Sequence, residues 1–250
     1  MDNNNNYNWA QKSVYVQDQT GLVAKKFFAN VFLWMFVALS VSTIVAFYLS
    51  ANTELLFNFF SRETGKPNIL GWIVMFSPLA ISLAMNAGLS RFSYGVIVSL
   101  FILFAALLGI SLSTVLLVYT SASIMSCFVG AAGIFGIMAV LGYTTDVDLS
   151  KFGPILMVGV VGLIIASVAN IFIQSEGFSL VMAFIGIAIF TALTAYHVQM
   201  LKRIGAGIEE SGAKMLDADS KKLAIIGAMS LYVTFINIFL SLLRIFGDRR

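Results

Sequence analysis

The sequence predicts an all-α membrane protein built as a seven-transmembrane-helix bundle, and three observations carry that prediction. Between Arg91 and Asp146 the chain runs for 54 residues without an Asp, Glu, Lys or Arg. Five more charge-free apolar tracts follow the same pattern, each roughly 21 to 27 residues long, where about 20 helical residues cross a bilayer core. The composition agrees, with 59% hydrophobic and 11% charged residues, far from the soluble averages of about 45–50% and 25%. The tracts are continuously apolar with no period-two alternation, which favours a helical bundle over an outer-membrane barrel.

Taken in order, the first tract runs from Phe27 to Thr53 behind Lys25 and Lys26 and predicts a span over 27–51. Its apolar core exceeds the roughly 7 to 15 residues of a signal peptide, so it reads as a retained anchor, although Ser50-Ala51 resembles a cleavage site. Residues 1–24, with the Asn3 to Asn6 run, read as a disordered cytoplasmic tail. Pro67 to Ser90 predicts a span over 69–89, in which Pro78 removes the helical donor to the Val74 carbonyl and makes a candidate hinge. The long tract divides at a turn near Tyr119 to Ser123 into spans 94–118 and 122–142. Phe152 to Ser175 predicts a span over 154–174, with Pro154 in the first turn and Ser150 or Asp148 as cap. Gly177 to Leu201 predicts a span over 178–200, and Leu223 to Leu243 one over 223–246, leaving a short basic tail at 248–250. The membrane domain so defined covers 25–247. Lys202 to Lys222 reads as a loop of mixed charge, either a solvated linker or a docking surface.

Orientation follows from the basic residues, which gather on the cytoplasmic side of inner membranes. With the N-terminus cytoplasmic, Lys12, Lys25, Lys26, Arg91, Lys151, Lys202, Arg203, Lys214, Lys221 and Lys222 lie inside, and Arg62 and Lys66 lie outside. A full seventh crossing puts Arg249 and Arg250 outside, against the rule; a re-entrant last segment would return them to the cytoplasm. The full crossing is the reading adopted. The net charge of +3 reflects this topology, and without a basic patch interleaved with aromatics no nucleic-acid partner is expected. Cys127 stands alone, which excludes an intramolecular disulfide.

Polar residues inside the spans mark inward faces, because lipid cannot satisfy them. Ser230, Thr234, Asn237, Ser241 and Arg244 fall on one stripe of the last span at helical spacing. They read either as interhelical glue or as the lining of a path. Thr191, Thr194 and His197 share a face of the sixth span, and Ser167, Asn170 and Gln174 a face of the fifth. His197 is the single histidine, either a proton-responsive group or a neutral imidazole bonded to a hydroxyl. One histidine without carboxylate or cysteine companions predicts no metal site and no cofactor. Small-residue ridges at Ser126, Gly130 and Gly133, and at Gly159, Gly162, Ala166 and Ala169, read as helix-packing lines. With no HExxH, no GxSxG triad, no Walker loop and no intramembrane aspartates, an enzyme is not expected.

Three segments resemble the Bax inhibitor-1 (YccA-like, transmembrane Bax inhibitor motif) family. They are Ser111 to Gly153, which contains the turn LGYTTDVDLS; IFTALTAYHVQ from Ile189 to Gln199; and SLYVTFINIFLSLLRIFG from Ser230 to Gly247. The resemblance covers residues 20–250 and implies a bundle whose last helix is enclosed by the others. It also implies a pH-sensitive calcium or proton leak across a membrane, and in bacteria an AAA membrane protease as partner. The family's aspartates in TAYD and LY-x-DFIN are replaced here by His197 and Thr234, which removes the coupled carboxylate pair suited to a proton sensor or a calcium ligand. Two functions follow: a leak channel with an altered sensor pair, or a non-conducting regulator that binds a membrane protease or another membrane partner. With no eukaryotic retention signal at Asp248-Arg249-Arg250, a bacterial inner membrane is the expected location.

Overall fold

The computed structural model describes residues 21–61, 67–210 and 217–250. Its seven long helices are α1 (Leu22–Ala51), α2 (Ile69–Ala87), α3 (Tyr94–Val118), α4 (Ser121–Thr144), α5 (Gly153–Ile173), α6 (Glu176–Glu210) and α7 (Asp217–Phe246). All seven are long and apolar enough to cross a membrane. The expected tail through residue 20, with Lys12 and the Asn run, lies outside the described residues, as do Arg62, Lys66 and Lys214.

Local chemistry sets the helix ends. Asn68, Ser93 and Thr120 cap α2, α3 and α4 by accepting hydrogen bonds from the amides of Gly71, Val96 and Ser123 at 2.9, 3.4 and 3.3 Å, satisfying donors that a helix start leaves free. Asp148 caps a 3-10 turn, Leu149–Phe152, that leads into α5. Asn170 and Gln174 do not line the middle of α5. Gln174 adopts a left-handed conformation at φ 52°, and the Asn170 carbonyl oxygen Oδ1 accepts from the Ser175 amide, so both build the turn into α6. In α2 the Val74 carbonyl freed by Pro78 accepts the Ser77 hydroxyl at 3.0 Å. The donor lost to proline is thus replaced by the residue beside it.

α7 is the axis of the bundle. It packs against α1, α2, α3, α4 and α6, while α5 rests on the outside of α6. Consistent with that, Ala224, Ile225, Ala228, Leu231, Tyr232 and Ile238 have no exposed surface, whereas Ile155, Val158 and Phe172 of α5 are turned outward. In a bilayer such outward apolar groups face lipid.

The reading of Lys202 to Lys222 as a loop is corrected. α6 continues to Glu210 and α7 begins at Asp217, leaving only residues 211–216, outside the described set, between the helices. The extension is held by α1: Ile208 is buried, Gly205 lies against Ala24 and Phe27, and Glu209 accepts the Gly21 amide at the start of α1. Mixed charge here marks a helix that outruns the membrane, since 35 residues extend about 52 Å against a core of about 30 Å.

The small-residue ridges also fall differently. Gly133 and Gly162 meet nothing within 4 Å, while Gly159 touches Ile189 and Gly130 comes within 3.6 Å of Leu242. The close approaches are made instead by Gly142 on the Ala195 backbone, Gly109 on Ser42, Gly227 on Leu201 and Gly186 on Ser241.

The C-terminal tail is ordered and lies opposite the N-terminal end of the bundle. Tyr119 and Arg249 form an antiparallel bridge, with Thr120 N donating to Asp248 O and Arg250 N to Val118 O. Arg249 pairs with Glu176 at 3.0 Å, and the Tyr119 side chain, then Glu176, raise its pKa above the usual value. The last helix is one unbroken element long enough for a full crossing, and its basic end is tied to the α3–α4 turn.

Candidate functional site: the polar face of the last helix

The antiparallel contacts of Gly186 with Ser241 and of Gly227 with Leu201 fix the register of α6 against α7. Interpolated between them, Thr194 stands level with Thr234, and His197 about one turn nearer the Leu201 end, level with Ser230. Thr194 and Thr234 are 0% and 1% exposed, so this level is sealed.

Most of the stripe is satisfied by its own helix. Ser230, Thr234 and Asn237 donate to the carbonyls of Ile226, Leu231 and Val233 at 3.2, 2.9 and 2.8 Å, and Thr194 donates to Phe190 at 2.8 Å. Back-bonding of this kind removes the need for an interhelical partner. Neither threonine donates to His197, and the His197 Nδ1 atom is buried without a partner.

Two further buried polar atoms, Thr191 Oγ1 and Tyr232 Oη, also lack partners. Tyr232 lies near Ser42, whose own proton goes to the Leu39 carbonyl at 3.1 Å; no hydrogen bond closes between the two hydroxyls. Tyr232 was not singled out from the sequence, yet a phenol inside a charge-free span needs a partner and carries that signal.

Toward the tail end the stripe opens. Asn237, Ser241 and Arg244 line a cavity of about 280 Å³ together with Ser167 and Ile164 of α5 and Trp72 of α2. Arg244 also borders a second, polar cavity of about 350 Å³ at the tail, with Gln174, Glu176 and Arg249. The first cavity reaches Asn237, and the Thr194–Thr234 level beyond it is buried.

At the opposite end, the LGYTTDVDLS turn is clamped to α6 by residues that the sequence pattern did not single out. Gln199 accepts from the Leu149 amide at 2.8 Å and donates to the Val147 carbonyl at 2.7 Å. Arg203 pairs with Asp148 at 2.5 Å, and Lys202 donates to the Tyr143 carbonyl at 2.8 Å. Hydrogen bonds from Ser150 and then Arg203 lower the Asp148 pKa to about 2. Lys222 of α7 reaches the Leu89 carbonyl at 3.1 Å and Asp219 at 2.7 Å, anchoring the α2–α3 turn.

The family described as inhibitor of apoptosis-promoting Bax1 matches residues 24–250. This chain belongs to the Bax inhibitor-1 family. Inner membrane protein YbhL of Escherichia coli K12 is 41% identical over 238 residues, covering 94% of this chain and 96% of that protein. An uncharacterized protein of Borreliella burgdorferi is 36% identical, covering 94% and 97%, and protein RP147 of Rickettsia prowazekii is 35% identical, covering 90% and 91%. The Bax inhibitor-1 assignment thus spans all seven helices, including the clamped turn and the face on which His197 and Thr234 lie.

Proposed function

We propose that this Bax inhibitor-1 family protein is a pH-responsive leak pathway for protons or calcium, held here in a closed state, with its N-terminal end in the cytoplasm of a bacterial inner membrane. The observation that carries the reading is the unpartnered His197 Nδ1 atom next to the sealed Thr194–Thr234 level. A charge placed there meets no carboxylate on its own helix face: the nearest basic groups along α6, Lys202 and Arg203, are committed to Tyr143 and Asp148.

Energetics support a closed state that is not deeply favoured. Each buried polar atom without a partner costs about 1–3 kcal/mol. His197, Thr191 and Tyr232 lie within about two turns of each other in depth, so opening the layer to water offsets several kcal/mol of lost packing. Protonation of His197 would add to that bias and join the Asn237 cavity to the opposite side.

Calcium is the less suited ion, because it takes hard oxygen ligands and favours carboxylates, and a histidine and a threonine stand at the paired positions. The test is flux from purified protein in liposomes, for protons and for calcium, across about pH 5 to 8. Proton leak that rises on acidification and is flattened in His197→Ala, with weak calcium leak that the double variant His197→Asp, Thr234→Asp increases, is the expected result. No flux of either ion in any variant would sink the channel reading in favour of a non-conducting regulator, such as a partner of an AAA membrane protease. The absence of catalytic signatures makes an enzymatic role no part of this proposal.

A further inference from the structure

We propose that the groove between α2, α5 and α7 is a binding site for one anionic phospholipid of the leaflet on the tail side, its phosphate held by Arg244 and its acyl chain lying along the groove. The groove is the same cavity that reaches Asn237, outside the sealed layer, and its occupant is tested by lipid contact rather than by ion flux.

The groove is chemically divided. Most of its wall is apolar, from Trp72, Met75 and Phe76 of α2 and Ile164, Val168 and Ile171 of α5, with Ser167, Asn237 and Ser241 as its polar members. Trp72 and Phe76 stack with centroids 5.8 Å apart, forming a flat apolar side. At its tail end stands Arg244, exposed and without a hydrogen bond or ion pair to any described residue. The same guanidinium borders the polar cavity of Asn170, Gln174, Ser175, Glu176 and Arg249. An apolar channel that ends at a cation and then widens into a polar chamber has the order of parts of a lipid: chain, phosphate, headgroup.

Charge decides which lipid. Among the described residues, the two cavities are lined by Arg244, Arg249 and Glu176, and Arg249 is already neutralised by Glu176 at 3.0 Å. One uncompensated positive charge remains. A lipid such as phosphatidylglycerol, with one net negative charge, balances it; a zwitterionic lipid supplies an equal positive charge and does not. Arginine suits the task, since its fork of donors matches a phosphate in two hydrogen bonds. Groove position matters as well, because α5 packs chiefly on α6 and α2 touches α7 only narrowly, so the opening between them faces outward, where the bilayer lies.

Trp72 provides the readout. In a protein carrying Trp9→Phe and Trp34→Phe, Trp72 is the remaining tryptophan of the three in the sequence. This protein is placed in phosphatidylcholine nanodiscs containing a minor fraction of phosphatidylglycerol brominated on its acyl chains. Quenching should exceed that of the same fraction of brominated phosphatidylcholine, with a local enrichment of about fivefold, the size expected for one basic residue beside an anionic lipid. Arg244→Gln should reduce the excess to the phosphatidylcholine level, Arg244→Lys should keep most of it, and Arg250→Gln, on the tail beside Ser121, should leave it intact. Equal quenching by the two lipids in the protein with Arg244 present overturns the proposal even if Arg244→Gln does not fold. An excess that survives Arg244→Gln does so too, and an excess abolished by inorganic phosphate in the buffer identifies a free-anion site and removes the lipid.

Discussion

Gly142 and Gly133 lie on the same helix, and adding one methyl group to each should move stability in opposite directions. A Cβ at Gly142 would stand 2.7 Å from Ala195 Cα and 2.9 Å from its carbonyl carbon, and also against its oxygen, all backbone of α6. No side chain can turn away, so α4 and α6 must separate where the LGYTTDVDLS turn begins. Overpacking of this kind costs about 1–3 kcal/mol, and the rigid backbone contact places Gly142→Ala near the upper end. The helical preference of alanine over glycine returns about 0.5–1 kcal/mol, and less here, in the last turn of α4. The net loss is about 2–2.5 kcal/mol, which lowers the melting temperature by roughly 4–10 °C for a chain of this size. At Gly133 the methyl group meets nothing within 4 Å, so Gly133→Ala keeps only the helical gain and melts at or slightly above wild type. Thermal unfolding of both variants in one detergent, followed by tryptophan fluorescence, is the assay. Gly142→Ala melting at or above Gly133→Ala would refute the close α4–α6 packing and the distinction between structural and lipid-facing glycines.

Gln199→Ala removes both hydrogen bonds that hold the Val147–Leu149 segment; a loss of about 1–3 kcal/mol and faster protease cleavage between Thr145 and Ser150 are expected, and unchanged cleavage would argue against the clamp. Asp148 has a folded pKa of about 2, depressed below its unfolded value, so its contribution is present above the unfolded pKa and is lost as pH falls through about 4 to 2. The melting difference between wild type and Asp148→Asn should accordingly be present at neutral pH and vanish across that window. Cysteines placed at Tyr119 and at Arg250 should react with an impermeant thiol reagent from the same side of the membrane, and one at Val23 from the other; labelling of Arg250→Cys together with Val23→Cys would restore a re-entrant last segment.

The sequence by itself determined the seven long apolar helices, while α1 starts at Leu22, α6 runs to Glu210 and α7 starts at Asp217, beyond the expected 27–51, 178–200 and 223–246. Uncharged tracts long enough to cross a bilayer leave no other economical structure, and predicted spans such as 94–118 coincide with α3 (Tyr94–Val118). Its motifs were also sufficient to recognise the family, because TAYHVQ and the LGYTTDVDLS turn are local strings. What the sequence could not determine depended on contacts between distant residues. Period and polarity grouped Ser230, Thr234, Asn237, Ser241 and Arg244 on one face, but only the tertiary structure divided that face into a sealed part at Thr234 and an open part from Asn237 to Arg244. The division exists because α5 sits behind α6 and leaves the tail half of α7 uncovered. Spacing likewise marked Gly130 and Gly133 as packing residues and passed over Gly142, since a glycine's role is set by what lies opposite it. The charges of Lys202 to Glu210 read as a loop because they end the apolar tract; they are helix because Gly205 and Glu209 find α1, a contact made between residues far apart in the chain that leaves no periodic mark in it.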